Sequence, residues 1–239
     1  MIWYFSATGN SRYVAERIAE AIGDSAESIV GKGAVRCADE VVGLVYPTYC
    51  WGFPHIVEEF LAQADFSDVK YFFIATSYGG STSVDLRRFV SRKPDALFGI
   101  TFPDTATWLY DVSDAKKVQE TLDAARLATE EVAERIKHRE VGDHIKEKIP
   151  ALFGRMIHAL LPRLSKTAAL SVDEKCIGCG LCARSCPASA IELREGRPVW
   201  VKPRCEMCLS CLHHCPAFAI HRGKKTALHG QYDIKKYKI

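Results

Sequence analysis

Apolar residues in the first 140 positions fall into short runs that alternate with helical stripes. The runs Ile2-Trp3-Tyr4-Phe5, 40–46, 70–76 and 97–102 are nearly continuous and rich in Val, Ile and aromatic side chains. Such runs predict strands buried on both faces, as in parallel sheets. A weaker strand is expected at 28–30. Between the runs, apolar positions recur at helical spacing: Val14, Ile18 and Ile22; Ile56, Val57, Phe60 and Leu61; then Val84, Phe89 and Val90. Residues 113–139 read as one long helix with Val118, Leu122, Leu127, Val132 and Ile136 on its apolar side. The alternation predicts an α/β domain over 1–140, a doubly wound five-stranded parallel sheet of order 2-1-3-4-5 with helices on both faces.

The pattern changes after residue 140. Residues 141–172 form a joint whose apolar stretch, 149–164, is interrupted by Arg155, His158 and two prolines. It is too short to span a bilayer. It predicts a linker helix packed between domains, with docking to a membrane surface or a partner as the alternative. Residues 173–220 form a compact repeat, and 221–239 a tail with six Lys/Arg and one Asp. That tail is expected to be solvated unless Tyr232, Ile234, Tyr237 and Ile239 pin it to a surface.

Cysteine placement carries the strongest chemical signal. Cys176, Cys179, Cys182 and Cys186-Pro187 are followed by Cys205, Cys208, Cys211 and Cys215-Pro216, each cysteine recurring 29 residues later. Two-residue gaps let three successive thiolates wrap onto one cluster. Pairs spaced C-x2-C also suit zinc, but zinc gives no reason for two matched four-cysteine runs ending in Cys-Pro. The double run resembles bacterial ferredoxins that hold two [4Fe–4S] clusters. That resemblance implies an α+β ferredoxin module in which the fourth cysteine crosses over. Cluster I takes Cys176, Cys179, Cys182 and Cys215; cluster II takes Cys205, Cys208, Cys211 and Cys186.

The first strand runs into Ser6-Ala7-Thr8-Gly9-Asn10-Ser11 and then a helix. Helix-start N–H groups and clustered hydroxyls make a phosphate site. Neither G-x4-G-K-[ST] nor G-x-G-x-x-G is present, which argues against ATP-type and Rossmann dinucleotide loops. The hydroxyl-rich loop resembles the FMN-phosphate loop of flavodoxins. On that resemblance Ser6, Thr8, Gly9, Asn10 and Ser11 hold the phosphate. Tyr49, Cys50, Trp51 and Gly52 form the second flavin loop, and Ser77, Tyr78, Gly79 and Gly80 the third. Trp51 is otherwise a loop anchor. Trp108-Leu109-Tyr110 either caps the ring or joins the core.

Charge is divided along the chain. Residues 1–145 hold 15 Lys/Arg against 22 Asp/Glu, a net of −7, and residues 146–239 hold 17 against 7, a net of +10. Opposite signs suit internal docking, or docking of an acidic redox carrier. No basic helix or aromatic-interleaved motif accompanies the charge, so nucleic acid is not expected. There is no apolar run of membrane-spanning length. Metal-ligating thiolates and the lack of a leader-like start suggest the reducing cytoplasm, and a homo-oligomer is compatible with the sequence.

The whole chain resembles a flavodoxin-like domain fused to a two-cluster ferredoxin. The fusion implies an electron-transfer flavoprotein that passes electrons between the clusters and FMN. One alternative is an FMN-dependent reductase of a small organic substrate, with Cys50, Tyr49, His55 and Tyr78 as candidate proton donors. Another is a redox-sensing or scaffold protein whose clusters are structural.

Overall fold

A computed structural model describes residues 1–89 and 91–239. Strands β1 (Ile2–Tyr4), β2 (Ala26–Ser28), β3 (Val41–Pro47), β4 (Tyr71–Tyr78), β5 (Ala96–Thr101) and β6 (Gly142–His144) form one sheet of order β2-β1-β3-β4-β5-β6. All neighbours pair in parallel. The sheet therefore has six strands where five were expected, and the extra one lies in the stretch read as a joint. Gly-Asp-His carries no apolar signal, since an edge strand of three residues needs only a ladder partner. Gly142 N–H donates to Asp95 O at 2.9 Å, and the His144 ring stacks on Phe98 at 5.1 Å.

Successive side chains of a strand point to opposite faces, and each face is covered. Helices α1 (Asn10–Ile22) and α3 (Ala115–Lys137) bury one face against Ile2, Val45, Phe73 and Phe98. Helix α2 (His55–Gln63) buries the other against Phe5, Leu44 and Ile74. On α3 the expected Leu127 is exposed, and Ala125 and Thr129 take its place in the buried stripe. Thr129 is accepted there because its hydroxyl donates back to Ala125 O at 2.7 Å. The helix expected at 84–90 is only a 3-10 turn, Leu86–Arg88, started by the Asp85 carboxylate accepting from Arg87 N–H. Val90, which that helix included, lies outside the described residues.

The joint contains two helices, α4 (Ala151–His158) and α5 (Leu161–Leu164). Gly154 lets α4 lie close to the first domain, since a Cβ there would fall 2.7 Å from the Ser83 side chain. Leu152, Phe153 and Met156 face outward. No helix among the described residues is long and apolar enough to cross a membrane.

The C-terminal module is a small unit of short antiparallel strands and one-turn helices. It pairs β7 (Leu170–Val172) with β10 (Ile220–Arg222) and β8 (Ile191–Arg194) with β9 (Arg197–Trp200), both antiparallel. The one-turn helices α6 (Leu181–Arg184) and α7 (Ser210–His213) carry cysteines. After α8 (Thr226–His229) the chain returns to the first domain. Tyr232 and Ile234 are buried in the α1–α3 core, with Tyr237 and Ile239 packed against it. The tail is pinned, and by the four residues able to do so.

Candidate functional site

The two cysteine runs fold as near copies. Gly178 and Met207 take left-handed φ of 67° and 50°, and Gly180 and Leu209, which start α6 and α7, take 72° and 55°. After the fourth cysteine of each run, Ser189 and Phe218 repeat the same conformation at 46° and 47°. These turns bend each run around a hollow. Cys176, Cys179, Cys182 and Cys215 line one hollow, and Cys186, Cys205, Cys208 and Cys211 the other. Backbone N–H groups point at the sulfurs: Ala190 at Cys186, Ala219 at Cys215 and Met207 at Cys205, at 3.3, 3.4 and 3.3 Å.

The hollows suit clusters better than single ions. Among the described residues, no three His, Cys, Asp or Glu side chains converge tightly enough to hold one metal ion, whereas zinc draws its sulfurs to about 2.3 Å. The thiols instead stand around a space. Burial pushes Cys208 up to about 12 and Cys211 well above the usual thiol range. Thiols buried in this way become thiolates together only when a cationic centre offsets their charge.

A larger cavity opens at the carboxyl ends of β1, β3, β4 and β5, where ligands bind in open α/β sheets. Its volume is about 300 Å3, within the range of small-molecule sites. One end is hydroxyl-rich. Thr8, Asn10 and Ser11 are buried there, Ser6 Oγ accepts from Gly9 N–H at 3.2 Å, and the Ser11 and Ser77 hydroxyls meet at 2.9 Å. Gly9, at φ 102°, starts α1 with no side-chain cap, so the first N–H groups of this 13-residue helix are available to an anion.

The second loop is a two-residue hairpin. Tyr49 and Gly52 exchange backbone hydrogen bonds of 2.9 and 3.0 Å, and Cys50 and Trp51 between them have φ of 47° and 57°. Positive φ at both positions marks a type I′ turn, which normally uses Asn or Gly. Holding two larger residues there costs about 1 kcal/mol or more each. Helix α4 supplies the restraint: His158 Nδ1 lies 3.0 Å from Tyr49 O, and its ring fills the space a Gly52 side chain would need. Trp51 Nε1 donates to Ser81 Oγ at 2.6 Å.

Of the flavin-loop residues expected from the sequence, all but Gly9 and Gly52 line this cavity. Gly9 faces Ile234 and Gly52 faces His158. Tyr78 lines the wall, but its hydroxyl donates to Glu147 Oε2 at 2.9 Å, and burial beside that carboxylate lifts it to about 12. Cys50 faces the cavity with its thiol pushed up by burial. Trp108 is a wall residue, and the Arg222 guanidinium lies over its ring at 4.0 Å.

Three contributors escaped the sequence reading. Asp104 sits where a Gly79 side chain would be, and burial raises its carboxyl above the usual aspartate range. Ile157, Leu160, Leu161 and Leu164 of the joint form an apolar wall. Glu206, Met207 and Cys208 also reach the cavity, so Cys208 belongs to both its wall and that of the second cysteine hollow.

Residues 169–216, which include both cysteine runs, match the family model of a 4Fe-4S dicluster domain. No curated protein matches the chain. The module is thus an iron–sulfur domain of the dicluster type, and the chemistry it brings is iron–sulfur electron transfer.

Proposed function

We propose that this chain is an electron-transfer flavoprotein in which two [4Fe–4S] clusters and one FMN are held within a single electron-transfer path. The stretch Glu206 to Cys208 carries the proposal, because its residues are wall to both the second cysteine hollow and the large cavity, and Cys208 is the cysteine among them. When bound, iron–sulfur clusters exchange single electrons and a flavin exchanges one or two.

The chain's residues divide the work. Cys176, Cys179, Cys182 and Cys215 would hold the outer cluster, where Cys179 is exposed to a partner, and Cys186, Cys205, Cys208 and Cys211 the inner one. The N–H groups of Met207, Ala190 and Ala219 spread the charge on their sulfurs. Thr8, Asn10, Ser11 and the open start of α1 would bind the phosphate, while Tyr49, Trp51 and the Gly79-Gly80 backbone flank the ring. The joint helices exclude water from the same cavity.

A second reading, an FMN-dependent reductase of a small organic substrate, is favoured by Asp104. Its buried carboxyl, with a raised pKa, can hold and deliver a proton inside the cavity. This makes it a better donor than Tyr78, whose hydroxyl is engaged by Glu147.

The test is anaerobic reconstitution followed by reductive titration. One FMN per chain is expected, with the flavin absorbance bleaching as the clusters are reduced. A protein that binds no FMN, or whose flavin stays oxidised beside reduced clusters, would overturn the proposal. Turnover with organic acceptors that Asp104→Asn abolishes while FMN stays bound would select the reductase; reoxidation only by carrier proteins would select electron transfer.

A further inference from the structure

The tail meets the anion end of the cavity at one pair of side chains. Tyr232, fully buried, sends its hydroxyl to Asn10 Oδ1 at 2.5 Å. Asn10 is only 7% exposed and lines the cavity. An amide offers an acceptor at one atom and two donors at the other. With Oδ1 taken by Tyr232, the hydrogens of Nδ2 remain for whatever fills the cavity. We infer that Tyr232 is a positioning residue for the phosphate: it fixes the Asn10 amide so that donors face the ligand, and so makes the cavity select a phosphorylated flavin over the same flavin without phosphate.

This inference rests on the FMN reading and adds a selectivity element to it from 222 residues further along the chain. Two observations converge on an anion. The N-terminus of α1 carries no side-chain cap, and its first intrahelical bond is Tyr13 N–H to Gly9 O at 2.9 Å. The unspent N–H groups ahead of it point to the same end as Nδ2. An Asn10 amide turned the other way would set a carbonyl oxygen against the phosphate.

The tail can hold this orientation because it is itself held. Tyr232 N–H donates to His213 Nδ1 at 3.1 Å, which puts the His213 proton on Nε2, where it is donated to Thr105 O at 2.9 Å. Gln231 Nε2 donates to Leu212 O and Cys215 O at 2.6 and 2.8 Å. Ile234 rests on Gly9, where a Cβ would come within 2.3 Å of it, so the tail packs directly on the loop that carries the amide. The Tyr232 ring is stacked on Tyr237 at 5.7 Å.

The test compares FMN with riboflavin, which lacks the phosphate, on the full chain with clusters reconstituted anaerobically. Affinities are read from quenching of flavin fluorescence. The wild type should bind FMN more tightly than riboflavin. Tyr232→Phe keeps the ring and removes one hydrogen bond, so FMN binding should weaken about tenfold, the scale of one hydrogen bond to a charged group. Riboflavin binding should not change. Asn10→Asp keeps the Tyr232 bond but replaces the donors with a carboxylate oxygen, and should abolish the preference for FMN. If Tyr232→Phe fails to fold, judged by iron content and cluster absorbance, Tyr232→Leu, which also removes the hydroxyl and leaves an apolar side chain, takes its place in the same comparison. A preserved ratio of FMN to riboflavin affinity, or an equal loss of both, overturns the inference and leaves the flavin reading standing. A wild type that binds neither flavin overturns the flavin reading and this inference with it.

Discussion

Glu206, between two cysteines of the second ring, accepts a hydrogen bond from Ile56 N–H at 3.3 Å and so caps α2 from the other domain. Pro54, the residue that precedes α2, makes no side-chain cap. The carboxylate thus serves an otherwise orphaned donor in the first helical turn. Glu206→Ala should lower stability by about 0.5–2 kcal/mol, the cost of a lost N-cap, and expose the joint to protease. Glu206→Gln, which keeps an acceptor, should lose less. Chemical denaturation of the cluster-loaded protein measures both, and equal losses would show that no cap is involved.

Asp104 gives a pH dependence whose sign is set. Burial raises its carboxyl, so the folded state holds the proton more tightly than the unfolded chain does. Its contribution to stability is therefore whole below the ordinary aspartate pKa and is lost as pH rises through the raised value. Asp104→Asn keeps an acceptor for Ala106 N–H and removes the charge. It should stabilise the protein at neutral pH, the gain fading as the solution is acidified toward the aspartate range. Denaturation midpoints of both proteins across pH would show this; a gain that grew on acidification would contradict it.

The crossed ligand sets predict which cluster each variant loses. Cys186 follows three cysteines of the first ring in sequence, yet it lines the second hollow. Cys186→Ala should spare the cluster of Cys176, Cys179 and Cys182 and damage the other, leaving about half the iron. Cys215→Ala should do the reverse. Iron analysis with electron paramagnetic resonance distinguishes the outcomes, and loss of the first-ring cluster alone in Cys186→Ala would refute the crossing.

Occupancy of the two sites should be coupled. Gln231 and Tyr232 hold the one-turn helix α7, which is too short to be stable alone and gains support when Cys211 is ligated. The same segment orders Asn10 and Gly9. Removing the iron with chelator should weaken FMN binding about fivefold or more, and bound FMN should protect the clusters by the same factor. Identical FMN affinities with and without clusters would exclude the coupling.

What was legible in the sequence was what leaves a period or a spacing. The runs at β3, β4 and β5 are buried on both faces and therefore apolar throughout, and the doubled cysteine run shows in its 29-residue offset. Strand β6 was hidden because two of its three residues are exposed at the sheet edge. The 84–90 helix failed because Asp85 bonded the backbone of Arg87, a local turn that competes with the helix. The contacts of Asp104, Glu206 and Tyr232 could not be read because each reaches across domains or loops, beyond any local window, although Tyr232 itself stood out as a possible anchor of the tail.

Electrons are proposed to pass between clusters and flavin within one molecule. Rapid anaerobic mixing of the fully loaded protein with a one-electron reductant tests it most directly, by following flavin bleaching after the clusters are reduced. The expected result is a first-order rate that does not change with protein concentration and is slowed in Cys186→Ala. A rate proportional to protein concentration, or a flavin that stays oxidised, would contradict it.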